Sequence, residues 1–436
     1  MFSWLLFLIA YIPLQIALNP RVGFDLASIR VFIILLSLVY MIKIFGDSPR
    51  FAGDCPQKRN VFYNLQSICL TAFLILSCFS LIGAENIFWG IRKIIFFLSI
   101  FPLYFLSVAL INNYKKIKKT ILVLSIGGSF LALVGLFQFL SQFVFGLEKT
   151  YSFWAINILP IFSGFNLGSM ILAYPSWLVN ISGETIMRVF SLFSDPHMLS
   201  FYLGLIVSLL VGLIYITKIN KFLLFIAYLL VFITLLLTFS RGAYIAIIVS
   251  FLILAFLFWK YLDNKKIAII LCLSLLIFII PGTSISDRFY GSFDLNEGSN
   301  IGRLEMWQMA GKIGMNSFWG GIGLGNYSLL VDSEFDYRNP ATAHNLYLDI
   351  FSEIGFFGLI FWLLLILGTI WQALKKLKIL DNKKQKCILI CLISSLVYFF
   401  IHSFFETAIY QPSVLALLMI ILGLFSVLLK NDPENN

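Results

Sequence analysis

Phe222–Lys260 reads FLLFIAYLLVFITLLLTFSRGAYIAIIVSFLILAFLFWK, and Arg241 is the single charge before the closing Lys260. Water does not solvate such a run, and a bilayer needs about 20 apolar residues per helical crossing. The stretch is long enough for two crossings, joined at Thr238-Phe239-Ser240-Arg241-Gly242 by a turn too short to be a loop. Helices over 222–239 and 243–259 are therefore expected, with Arg241 held at the membrane face.

The same pattern runs outward in both directions. Sixty per cent of the chain is hydrophobic and 12% is charged, against about a quarter charged in soluble domains. Further spans are predicted near 2–18, 26–45, 61–82, 87–110, 120–145, 199–217, 267–281, 348–372, 387–405 and 413–429. The fold class is all-α, a polytopic transmembrane helix bundle of about 12 spans. Residues 1–436 form one membrane domain, with no soluble catalytic domain appended. Met1-Phe2-Ser3-Trp4 lacks a basic n-region, so the first apolar run reads as a retained span.

Lysine and arginine set the expected orientation. With the N-terminus inside, the inner loops hold Arg50, Lys58 and Arg59; Lys115, Lys116, Lys118 and Lys119; Lys218 and Lys221; Lys260, Lys265 and Lys266; and Lys375, Lys376, Lys378, Lys383, Lys384 and Lys386, with Lys430 in the tail. The outer segments are longer in total and hold only Arg21, Lys149, Arg188, Arg241, Arg288, Arg303, Lys312 and Arg338. The positive-inside rule then puts both termini in the cytoplasm. The net charge of +10 follows from the inner lysines and does not argue for nucleic acid. Two outer segments are long: 146–198, rich in Trp, Tyr and Pro, and 282–347, the loop region between spans nine and ten, which holds most turn residues. The six cysteines fall in spans or an inner loop, and Cys387 with Cys391, four apart, reads as small apolar packing.

Outer arginines run against the charge bias, so they call for a reason. Arg241 either snorkels to headgroups or clamps an anion. Arg303 and Trp307 are one helical turn apart in Asn300-Ile301-Gly302-Arg303-Leu304-Glu305-Met306-Trp307. The glycine-rich Trp319-Gly320-Gly321-Ile322-Gly323-Leu324-Gly325 is not a nucleotide loop, because no parallel-sheet strand precedes it. It suits close backbone approach to a ligand or another helix. In Thr342-Ala343-His344-Asn345, His344 leads a polar stripe of Asn345, Asp349, Ser352 and Glu353 at helical spacing, which should face the interior or a wet cavity. Arg188 with Ser194-Asp195-Pro196-His197, and His402 with Glu406 one turn on, read equally as helix caps or local ion pairs. Asp332, Glu334 and Asp336 read as a solvated loop or a sugar or cation contact.

Arginines and a histidine at an outer face suit a reaction whose leaving group is a lipid-borne diphosphate. Guanidinium matches phosphate oxygens in bidentate geometry, and charge that builds on the leaving oxygen is stabilised most in the transition state. A histidine accepts the proton of the attacking hydroxyl near neutral pH. No metal or soluble cofactor is needed by this scheme.

Ser240-Arg241-Gly242, Gly302-Arg303 with Trp307 and the glycine-rich stretch, His344-Asn345 with Glu353-Ile354-Gly355, and Arg188-Val189-Phe190-Ser191-Leu192-Phe193-Ser194-Asp195-Pro196 together resemble the bacterial O-antigen ligase and O-antigen polymerase superfamily. The resemblance covers 185–425 best. The chain departs from it at Phe318-Trp319, where a proline often precedes the glycine-rich turn. The resemblance implies a glycosyltransferase of surface polysaccharide biosynthesis in the bacterial cytoplasmic membrane, acting on the external face without metal or cofactor. Its partners would be a polyprenyl-diphosphate-linked glycan donor, a glycan or lipid-core acceptor, and the bilayer. Arg241 and Arg303 would hold the diphosphate and His344 would activate the acceptor hydroxyl, while Arg188, Asn345, Trp307 and Glu353 would contact substrate. The rival reading is a lipid-linked glycan flippase without chemistry, for which inverted repeats or broken helices would argue.

Overall fold

The computed structural model describes residues 1–21, 24–46, 64–164, 176–181, 183–294, 298–331 and 341–430. Among the described residues, eight helices are long and apolar enough to cross a membrane: Leu65–Gly83, Ile87–Leu110, Tyr114–Phe145, Pro196–Ile216, Arg241–Leu262, Leu346–Ile379, Lys383–His402 and Pro412–Lys430. Phe2–Leu14 and Lys221–Leu236 are shorter apolar helices. The expected span at 26–45 lies in the Ser28–Gly46 helix, and that at 267–281 is a ten-residue helix, Lys265–Ser274, followed by a 3-10 turn, Leu275–Phe278.

The bundle is not purely α-helical. Two antiparallel hairpins, Ala17–Arg21 with Phe24–Ala27 and Leu178–Ile181 with Glu184–Met187, interrupt it. Strands this short carry no periodicity long enough to stand out from the flanking apolar runs. The second hairpin belongs to segment 146–198, which is a packed cap where it is described. Trp177 stacks on Phe190 at 3.7 Å, and both join Trp154 and Met187 in a core of their own. Cys55, Arg338 and the acids Asp332, Glu334 and Asp336 lie outside the described residues.

Lipid tails are as apolar as leucine, so membrane helices associate through close packing and internal hydrogen bonds. The Pro196–Ile216 helix shows how. Ser200, Gly204, Ser208 and Gly212, four apart, share one face and meet the Lys383–His402 helix. Tyr398 donates to the Ser200 carbonyl at 2.8 Å, Ser208 and Ser394 hydroxyls meet at 2.9 Å, and Ser395 donates to the Leu205 carbonyl at 2.6 Å. Ser394 also donates to the Ser250 carbonyl, which brings the Arg241–Leu262 helix into the same contact. Cys387 and Cys391 are fully buried beside Gly212, as the small-apolar reading expects.

The Leu346–Ile379 run is broken at Gly355, where φ is 81° and ψ is −172°. A break leaves backbone groups without helical partners, and within a bilayer protein must supply them. Here the glycine-rich segment does so. Ile322 N–H donates to the Ser352 carbonyl, Gly323 N–H to that of Glu353, and Phe356 N–H to that of Phe318. The approach is so close that a Cβ on Gly321 would lie 2.4 Å from the Glu353 carbonyl group, and one on Gly355 would lie 2.5 Å from the Trp319 oxygen. Of the two partners the glycines suit, a ligand or a helix, the helix is what they meet.

A Cβ at Gly204 would sit 2.0 Å from the Tyr398 ring. Gly204→Ala is expected to destabilise the protein by about 1–3 kcal/mol through overpacking. Thermal unfolding in detergent reads this, and an unchanged midpoint would show that the two helices have room to separate.

Candidate functional site

The connection between the Lys221–Leu236 and Arg241–Leu262 helices is the turn that the sequence marks. Phe239 takes a left-handed φ of 48°, a strained conformation for a bulky side chain. Arg188 holds it there. This arginine is buried and donates through Nε to the Thr238 carbonyl at 2.8 Å, through Nη1 to that of Ser176 at 3.3 Å, and through Nη2 to His197 Nε2 at 3.3 Å. Burial lowers its guanidinium to about 10, with Asp195 pulling the other way, so it stays charged at neutral pH. Burial and the charge of Glu406 push the Asp195 carboxyl up, while Arg188 opposes them.

Ser240 occupies the N-cap position of the Arg241–Leu262 helix without capping it. Its hydroxyl is engaged elsewhere, 2.8 Å from His197 Nδ1 and 3.3 Å from His402 Nε2. The direction of this chain follows from its first member. Arginine only donates, so His197 Nε2 accepts, His197 Nδ1 donates to Ser240, and the Ser240 hydroxyl donates to His402 Nε2. His402 is fixed by stacking on Phe201 at 3.8 Å. Gly242 completes the triplet, because a Cβ there would lie 2.6 Å from Phe405 Cβ and 3.0 Å from His402.

Arg241 reaches the next motif, donating through Nη1 to Asn300 Oδ1 at 3.1 Å. Asn300 donates in turn to the carbonyls of Gly291 and Asp294. One helical turn further along Gly298–Asn316, Arg303 Nη2 lies 4.0 Å from Glu406 Oε2. Trp307 lies 6.5 Å, ring to ring, from Phe405.

Glu406 also accepts from His344 Nδ1, at 2.8 and 3.0 Å from its two oxygens. The expected local pair between His402 and Glu406 is therefore replaced. The helix ends at His402, the following turn carries Glu406 to His344, and His402 goes to Ser240. His344 has φ 48°, and Leu346 N–H bonds to the Ser403 carbonyl, which clamps the histidine turn onto the glutamate turn. Burial works to raise the Glu406 carboxyl, but the charges of His344, His197 and Arg303 together hold it below the usual range. The Glu406 carboxylate raises the His344 imidazole above its ordinary value, against burial. Because a carboxylate only accepts, His344 Nδ1 carries the proton and Nε2 is the open nitrogen. The ring is 39% exposed, while Glu406 is 7%.

The rest of the polar stripe faces inward and serves the fold. Asn345 caps its helix, accepting from Tyr347 and Leu348 N–H. Asp349 accepts from Ala343 N–H and from the Thr407 hydroxyl. Glu353 pairs with Lys93 at 3.1 Å and accepts from Tyr410 and from Tyr327 N–H. Lys93 also lies 4.0 Å over the Tyr410 ring. Lys93 is not among the residues that the sequence singles out, although it follows Arg92 within a predicted span, where a charged side chain needs an internal partner. Among the described residues, no group of three or more His, Cys, Asp or Glu side chains is placed to hold a metal ion.

Arg303 and His344 thus meet on one buried carboxylate, with Trp307 beside the neighbouring Phe405 and Arg241 held through Asn300 one helical turn before Arg303. Residues 226–363 match the family model described as O-antigen ligase. No curated protein matches the chain. The family match and the apolar helices support an integral membrane protein with a glycosyltransferase-type role in polysaccharide biosynthesis. The matched residues include Arg241, Arg303 and His344, whereas Arg188, His402 and Glu406 lie outside them.

Glu406→Gln keeps an acceptor for His344 Nδ1 and removes the charge that raises it. The base form of a histidine exists above its pKa, so the acid limb of the kcat/KM profile should move to lower pH, with a reduced plateau. An acid limb left in place would separate Glu406 from the histidine that limits the rate.

Proposed function

We propose that this protein transfers a glycan from a polyprenyl-diphosphate carrier to a sugar hydroxyl at the external face of the cytoplasmic membrane. The observation that carries the reading is His344, oriented through Nδ1 by Glu406, with Nε2 open beside Arg303. The acceptor oxygen forms a bond to the anomeric carbon as the bond from that carbon to the phosphate oxygen breaks. The bonding pair leaves with the diphosphate, and the hydroxyl proton passes to His344 Nε2. Arg241 and Arg303 receive the leaving charge in bidentate geometry. Arg303 sits 4.0 Å from Glu406, too long for a tight ion pair, so it can turn to a phosphate without leaving the carboxylate unpaired, since His344 keeps it satisfied.

The outward placement rests on the lysine bias and on the site residues clustering at the opposite helix ends. Arg188 acts by fixing the Ser240-Arg241 turn, and Trp307 offers an aromatic face to a sugar or isoprenoid. The broken helix at Gly355 is the feature that a flippase reading would claim. Its freed backbone groups are taken up by residues 318–323, so they are not offered to a transported ion.

Purified protein incubated with polyprenyl-diphosphate glycan and acceptor should give lengthened or newly attached glycan by mass spectrometry, in the presence of excess EDTA. His344→Ala should slow transfer by about 10²- to 10⁴-fold with donor binding kept. Bound donor without product from the native protein would favour transport. Polymerase and ligase separate on deletion of the gene: single repeats remaining on the acceptor indicate the first, and loss of all attached chains the second.

Arg241→Lys and Arg303→Lys should each remove most activity, since lysine keeps charge but not the planar fork. Near-normal transfer by both at matched protein levels would rule out a guanidinium clamp.

A further inference from the structure

At the helix ends opposite His344 lies a cavity of about 680 Å³. The Leu346–Ile379 run, broken at Gly355, leads from one to the other. Lys375, Lys376, Lys378 and Lys430 line the cavity together with Asn64, Gln66 and Gln372, and no Asp or Glu is among its described lining residues.

The cavity floor is a built polar network. Asn64 Oδ1 accepts from Ser67 N–H and from the Tyr104 hydroxyl, both at 2.8 Å. Those two donors fix the amide orientation, and its Nδ2 is buried with no hydrogen-bond partner. Gln66, 1% exposed, donates to Thr369 Oγ1 at 3.0 Å and to Gln372 Oε1 at 3.2 Å. With its oxygen so used, Gln372 has its NH₂ left to offer. The groups available to an occupant are thus donors and cations, which is the complement of an anion. A buried amide N–H₂ without a partner is unfavourable, so an acceptor oxygen at this place satisfies it.

The rim is apolar. Ile379 is 72% and Trp371 is 56% exposed, and the Lys375 ammonium lies 3.5 Å over the Trp371 ring. An anion with acyl chains fits such an entrance better than a free ion, and basic pockets between membrane helices take phosphate headgroups. We propose that this cavity binds a phosphate-bearing anion, and that its occupant is the headgroup of an anionic phospholipid.

Full-length protein in detergent, titrated with phosphatidylglycerol and with phosphatidylcholine and followed by thermal unfolding, tests this. Phosphatidylglycerol alone should stabilise. The triple variant Lys375→Gln, Lys378→Gln, Lys430→Gln should weaken its apparent affinity at least about tenfold. A control triple at the same end of the bundle, Lys115→Gln, Lys118→Gln, Lys119→Gln, should change it little. Gln372→Glu, which keeps an acceptor for Gln66 and adds a negative charge to the cavity, should match the first triple. Equal losses in both triples, or none in the first, would overturn the site. Inorganic phosphate stabilising as strongly as the lipid would overturn the lipid as occupant.

Discussion

Glu406 is a buried carboxylate at a helix end, and a buried charge is tolerated only when paired and hydrogen-bonded. Its partners come from far apart in the chain: Arg303 from the Gly298–Asn316 helix and His344 from the turn before Leu346. Satisfying one charge therefore fixes three segments at once. In the proposed reaction it also sets the base, because the carboxylate decides which nitrogen of His344 is open and makes that imidazole more basic. Replacing Glu406 with an apolar residue would release two cations into the same site.

A second constraint works at the level of the backbone. The break at Gly355 frees the Ser352 and Glu353 carbonyls and the Phe356 N–H, and the segment from Phe318 to Gly323 meets all three. This explains why the glycine-rich stretch and Glu353-Ile354-Gly355 belong to one pattern. They are two sides of one contact, which anchors the end of the Gly298–Asn316 helix, carrying Arg303 and Trp307, to the helix that begins behind His344. Glu353 adds to the same joint through Lys93 and Tyr327.

Helices were legible in the sequence because long apolar runs have one stable form in lipid. The short hairpins and the break at Gly355 were not, since a few residues of strand or one glycine do not change a hydropathy pattern. In the site, Arg241 and Arg303 stand out as charges placed against the topological bias, and His344 as the head of a polar stripe. Glu406 was noticed as a neighbour of His402 and its true partner was missed. Spacing of four implies a shared face only while the helix continues, and this one stops at His402. Lys93 was hidden for the opposite reason, lying inside a run already read as a span.

The triplet Ser240-Arg241-Gly242 shows how packing and chemistry divide the work. Gly242 admits Phe405 and His402 to the helix start, and that approach brings the Glu406 turn level with Arg241. Ser240 gives up its capping bond to stand between two histidines, the first of them oriented by Arg188. The result is a directed chain of donors ending at His402, which stacks on Phe201 in the helix whose small residues pack on Tyr398. The close helix contact at Gly204 and the placement of Arg241 are then consequences of the same seam. A side chain that forced those helices apart would move the arginine as well as loosen the core, so stability and, in the proposed reaction, donor binding should be coupled along this face.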